Sequence, residues 1–221
     1  MATPSPTTTP TPTQPVRLVT PVEERAPGLP GADPGLIGLP SFIVGAIALG
    51  LVLIGVVPTG TTGASVPIIL AATSIGLMIA TVWAAILGQG AVAGIYGIFT
   101  GFYLSYAVLV LGLVHNWFGV TPAAIAGTQK LFVISWMVIV TVLVAATLRL
   151  PVAFTGLFAL VDVALLLNLL SIIQNNSTTL AKSAGWVVMA FSALGLYMFF
   201  GAASHATGGK ELPVGRPILR T

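Results

Sequence analysis

Long uncharged apolar runs alternate with short polar or glycine-proline breaks through most of the chain. Six runs stand out, at 38–57, 66–87, 91–114, 131–147, 152–173 and 184–204. Most match the roughly 20 apolar residues that a helix needs to cross a ~30 Å hydrocarbon layer. The pattern therefore predicts an all-α integral membrane protein with six transmembrane helices in one membrane domain, 33–205. Turn chemistry marks the breaks: Pro58 to Gly63 after the first run, and Gly88, Gln89 and Gly90 after the second. Two longer loops are expected at 115–130 and 174–182. Arg149 and Pro151 mark the remaining corner, and Pro67 and Pro151 suit first-turn positions, where a missing N–H costs nothing.

Outside the runs the chain changes character. Residues 1–32 are rich in proline and threonine, with little apolar surface to bury, and are expected to form a disordered tail. They do not resemble a secretory signal, since the first basic residue is Arg17 and no apolar segment follows the start, so the tail is expected to stay on the mature protein. Basic residues set the expected orientation. With both termini on one side, that side collects Arg17, Arg25, Arg149, Lys210, Arg216 and Arg220, against Lys130 and Lys182 on the other. The excess of basic residues on cytoplasmic loops predicts both termini inside a cell membrane, with 206–221 as a cytoplasmic C-terminal tail.

Composition narrows the function classes. The chain is 56% hydrophobic and 6% charged, with a mean hydropathy of +1.04, whereas a soluble domain carries about a quarter charged residues. Such a chain needs lipid as a partner. Its net charge of +3 is spread thinly without a basic run, which gives nucleic-acid binding no support. There is no cysteine, and His115 and His205 show no ligand spacing, so no metal site is expected. No nucleophile-base pair or phosphate loop suggests an enzyme, and no cofactor is implied.

Three features within the runs could carry function. Gly90, Gly94, Gly97 and Gly101 lay a side-chain-free stripe along the third run, which permits close helix packing. Asp162 lies near the middle of the fifth run, where an ionised carboxylate costs about 2.5 to 3.5 kcal/mol on insertion scales. It is a proton-coupling or substrate-pathway candidate, or else a neutral acid hydrogen-bonded between helices. Thr155 shares its face, whereas Asn168 projects about 120° away. Aromatic residues crowd the third run: Tyr96, Phe99 and Tyr103 fall on one face, and Phe102 and Tyr106 form a neighbouring ridge. Packing or an interfacial belt accounts for such a pattern. A pore constriction that gates by excluding water accounts for it as well.

At the start of the first run the chain reads Asp33-Pro34-Gly35-Leu36-Ile37-Gly38-Leu39. This resembles the Asn-Pro-Ala-Pro-Leu-Gly-Leu signature of the acetate uptake transporter family, the succinate/acetate permeases, with Asp33 in place of Asn and Leu36 in place of the second Pro. Phe102-Tyr103-Leu104-Ser105-Tyr106, Ala184-Gly185-Trp186 with Tyr197, and Leu212-Pro213-Val214-Gly215 resemble further family motifs in the same order. The resemblance implies a six-helix protomer with its own pore, assembled as a homo-oligomeric, hexameric ring. It also implies transport of small monocarboxylates or dicarboxylates such as acetate or succinate, often with protons. By motif register, the family's Phe–Tyr–Leu constriction falls on Phe42, on Phe99 and on Val161 or its neighbour Leu160, so the tyrosine hydroxyl is replaced by hydrogen. The acidic residue usual near the end of the second helix is also missing.

The leading expectation is thus a transporter or channel for small carboxylates. Permeation would rely on the helix start beside Asp33 and on hydroxyls such as those of Thr100 and Ser105, because no fixed cation lies inside the runs. Two other readings fit the sequence: a neutral-solute channel for urea, short amides or ammonia, and a non-transporting sensor or assembly protein that acts through its tail.

Overall fold

The structure is a computed structural model that describes residues 33–58, 61 and 63–219. The expectations for 1–32 lie outside the described residues. Among the described residues six helices are long and apolar enough to cross a membrane: α1 (Gly35–Ile54), α2 (Ile68–Ile86), α3 (Gly90–Val114), α4 (Ile125–Thr147), α5 (Val152–Ile173) and α6 (Thr178–Ala206). No strand is present among the described residues, although Pro151 and Pro217 form one isolated antiparallel bridge. In hydrocarbon a helix is the open-chain solution that satisfies every backbone group within its own segment.

The helix ends follow local chemistry. Asp33 Oδ1 accepts a 2.8 Å hydrogen bond from Gly35 N, placing a carboxylate at the start of α1, where the helix dipole favours it. At the other end Gly55 takes the left-handed conformation, φ +89°, and its N–H reaches Leu51 O and Val52 O. The turns after α3 and α5 use asparagine for the same purpose: Asn116, Asn175 and Asn176 have φ of 52°, 54° and 60°. Pro67 has helical dihedrals, φ −58° and ψ −41°, in the first turn of the second helix, whereas Pro151, with ψ 140°, sits immediately before α5.

Two predicted boundaries move. The fourth helix begins at Ile125, behind a 3-10 turn at Pro122–Ala124, and the sixth begins at Thr178, so both long loops shrink. Lys130 and Lys182 consequently stand near helix starts instead of in loops. Apolar content locates the hydrocarbon layer, but a helix continues beyond it, and lysine reaches water along its own stem.

The second helix is not uniform, because Ile68–Ser74 is a π-helix and Ser74 Oγ donates to Ile69 O at 2.8 Å. Around the bundle the neighbours run α3, α2, α1, α6, α5, α4, and the ring closes where α4 meets α3. Closure there is made by side chains: Phe102 lies 5.8 Å from Phe132 and 5.6 Å from Trp136 between ring centroids.

The tight seam is α1 against α6, built on small residues. A Cβ added at Gly185 would fall 2.8 Å from Leu53 Cβ and 2.9 Å from Ile54 N, and one at Gly195 would fall 2.9 Å from Ile43 Cγ1. Close approach of this kind holds membrane helices together where hydrophobic burial cannot. The predicted stripe on α3 does not serve in this way along its length. Gly90 and Gly94 face open space, and only Gly97 and Gly101 meet neighbours, Thr81 and Trp136.

The described part of the C-terminal tail returns across the α4–α5 corner. Tyr197 Oη donates to Pro213 O at 2.9 Å, Ala153 N to Val214 O at 3.1 Å and Leu219 N to Leu148 O at 2.9 Å.

Candidate functional site

Two cavities lie within the bundle and meet at one pair of side chains. The larger, about 500 Å³, occupies the far half, where α1 ends and the α3–α4 and α5–α6 turns lie; the smaller, about 40 Å³, occupies the near half, where α1 begins and α6 ends. Phe42 from α1 and Phe99 from α3 line both. Their rings meet edge-on at 4.8 Å between centroids, with 5% and 2% of their surfaces exposed. The sequence brings them together through Gly38, one turn before Phe42: its missing Cβ leaves room for the Tyr96 ring, which packs α3 against α1 at this height.

Further aromatic residues fix the pair. Phe158 of α5 stacks on Phe99 at 5.5 Å and 15°, and Phe191 of α6 lies 5.9 Å from Phe42. Tyr103 is 6.0 Å from Phe42 and donates its hydroxyl to Phe42 O at 3.3 Å. A tyrosine hydroxyl therefore does reach this level, from one turn beyond Phe99. The spacing of Phe99 and Tyr103 on one helical face was the signal for it in the sequence.

The other predicted residues divide. Val161 is buried and lines the larger cavity, whereas Leu160 is half-buried against the core and lines neither. Thr100 donates to Tyr96 O at 2.8 Å, and Ser105 to Gly101 O at 2.6 Å, so both hydroxyls are held by their own helix and neither lines a cavity. Asp33 is exposed at the α1 start.

Asp162 lies between two helices. It lines neither cavity and faces α4, where Thr141 Oγ1 lies 3.1 and 3.0 Å from its two carboxylate oxygens. The flanking α5 residues Val163 and Leu166 are 43% and 45% exposed, so this side of α5 belongs to the bundle's outer surface. The cause is angular: Asp162 is one residue, about 100°, from Val161, and only one of them can face inward. Thr155, on the same α4-facing side, donates to Thr147 O at 2.7 Å.

Polar groups line the larger cavity: Tyr106 from the predicted aromatic ridge, and Gln129, Asn168, Ser171 and Asn176, which were not among the predicted site residues. Gln129 and Asn176 stood in presumed loops, and Asn168 had been noted only as pointing away from Asp162. Neither cavity has a charged side chain among the described residues that line it, and no group of three or more potential metal ligands occurs among them.

Comparison with known protein families matches residues 18–209 to the GPR1/FUN34/yaaH family. The chain belongs to that family. No curated protein matches it. Among solved structures, that of the bacterial acetate channel SatP superposes with a TM-score of 0.72 at 20% sequence identity, covering 83% of this chain and 99% of that one. The family member described here thus shares the fold of a channel, and the acetate uptake transporter resemblance seen in its motifs stands.

Proposed function

We propose that this protein carries small carboxylates, with acetate the leading substrate, across a cell membrane through the path formed by its two cavities. The observation that carries the reading is the aromatic pair Phe42 and Phe99, which alone among the larger cavity's α1 and α3 side chains also borders the smaller one. A narrow apolar neck passes a small solute after it sheds water and holds back hydrated ions. Val161 completes the neck from α5, and the similarity to the acetate channel SatP supports the choice of cargo. Labelled acetate uptake into proteoliposomes between pH 5 and 7 is the direct test. Uptake no greater than in empty liposomes removes the proposal.

A second reading, a channel for urea or short amides, is favoured by one feature: the lining carries amides and hydroxyls but no fixed cation. Competition between acetate and urea in a vesicle swelling assay separates the two. We place both termini on the cytoplasmic side from the distribution of basic residues, so that the larger cavity opens outward. The family resemblance supports a homo-oligomeric ring. Asp162 fits a tie between α4 and α5 better than a proton relay, since its partner is Thr141 and the path runs on the other face of α5.

A further inference from the structure

The neck residues recur two turns further along each helix. Helices α1, α3 and α5 run in the same direction, from the near end to the far end, and contribute Phe42, Phe99 and Val161 to the neck. Seven residues on, at roughly 10 Å and on nearly the same face, stand Leu49, Tyr106 and Asn168. All three line the larger cavity. They form a second ring above the first, and its chemistry is different: one aliphatic side chain, one phenol and one primary amide.

The two polar members have capacity to spare. The hydroxyls of Tyr103 and Tyr197 donate to the carbonyls of Phe42 and Pro213. That of Tyr106 has no such partner among the described residues, and neither has the Asn168 amide. Inside a largely apolar cavity, a donor and acceptor pair without a protein partner gains most from a solute that supplies the complement. A primary amide offers N–H and C=O side by side. This matches the two edges of a planar carboxylic acid or carboxamide in a pair of parallel hydrogen bonds.

From this geometry we propose that Leu49, Tyr106 and Asn168 form a recognition collar for a small planar carboxyl or carboxamide group bearing a short apolar tail. Asn168 pairs with the planar head, Tyr106 donates to the free lone pair of its carbonyl oxygen, and Leu49 covers the tail. The collar deepens the transport reading and rests on it for its biological use. It explains how a path without a fixed cation selects its cargo: recognition of shape and hydrogen-bond pattern comes first, and the Phe42–Phe99 neck then excludes whatever remains hydrated. The shared chemistry covers a weak acid and an amide alike, so acetate and acetamide are the natural probes.

The test compares wild-type protein with Asn168→Leu and Tyr106→Phe in proteoliposomes. Asn168→Leu is expected to raise the KM for acetate about tenfold and Tyr106→Phe about threefold, as loss of one or two neutral hydrogen bonds implies, while the maximal rate stays within about twofold. A residue needed only for folding would lower the maximal rate and leave KM unchanged, and that result overturns the collar. Should Asn168→Leu fail to fold, Tyr106→Phe and competition on the wild type decide. Acetamide should compete with acetate, and tetrahedral methanesulfonate should not; equal competition by both overturns the proposal. If wild-type protein carries no acetate, the transport reading falls by itself. Saturation-transfer NMR of acetate and acetamide on the purified protein then reads the collar directly: a signal lost in Asn168→Leu supports it, and a signal equal in both proteins, or absent from both, rejects it.

Discussion

The two cavities on either side of Phe42 and Phe99 share walls from α1, α3, α5 and α6, with α4 lining only the larger, and one is about 500 Å³ and the other about 40 Å³. The difference lies in what crosses the bundle at each level. In the near half Tyr96 fills the space that Gly38 leaves open, and Phe154, Leu157, Phe158 and Met198 pack around it. At roughly 10–15 Å³ per water, what remains holds a few water molecules at most. In the far half α4 stands apart from α3, joined through Phe132 and Trp136, and the cavity opens between them. On the proposed path, resistance to permeation therefore falls to the near half and the neck, whereas the far half has room to sort solutes.

The strongest way to break this comparison is to remove what separates the cavities. The double substitution Phe42→Ala with Phe99→Ala is expected to raise solute flux by about tenfold or more and to admit larger solutes, since a hydrophobic constriction gates by its width and dryness. Swelling rates against a series of solutes of increasing size measure this, and unchanged size discrimination would place the barrier elsewhere.

Next comes equal filling of the two sides. Met198→Trp on the near side should lower acetate flux at least about tenfold, while Leu113→Trp on the far side should stay within about twofold, because the smaller space has no volume to yield. Thermal unfolding of both proteins controls for overpacking. Similar losses from the two substitutions would mean that the cavities contribute equally.

A smaller effect is expected at the neck's hydrogen bond. Tyr103→Phe removes the donor to Phe42 O and should cost about 0.5–1.5 kcal/mol of stability, the usual net value of such a bond. Denaturant titration in detergent reads it; no measurable loss would show that the 3.3 Å contact contributes little.

The smallest change belongs to Asp162→Asn. An amide oxygen still accepts from Thr141, and the residue lies off the path, so acetate flux and its dependence on pH should both hold within about twofold. A displaced pH profile would return Asp162 to the proton pathway.

Much of the fold was legible because the bilayer imposes a simple rule on composition. All six helices coincide with the apolar runs, and Phe42, Phe99 and Val161, the residues given by motif register, all line the larger cavity. The errors share one cause. Apolar content says how much of a helix lies in hydrocarbon, not where its hydrogen bonding starts, so α4 and α6 began earlier than expected. Within a run that is apolar on every side, no moment tells inward from outward. Asp162 was left between the path and a tie between helices and faces α4, and Asn168 was set aside and lines the cavity.

Alone, the sequence determined the six crossings, the absence of a fixed cation from their apolar runs and the family, because each of these depends on residue identity in chain order. Tertiary structure decided the rest: which face of α5 turns inward, which glycines serve as contacts, and which side chains of α1, α3 and α5 line the larger cavity. Those are relations between helices fixed by side chains meeting across a seam. A Cβ at Gly38 or Gly185 would alter them without changing a single apolar run.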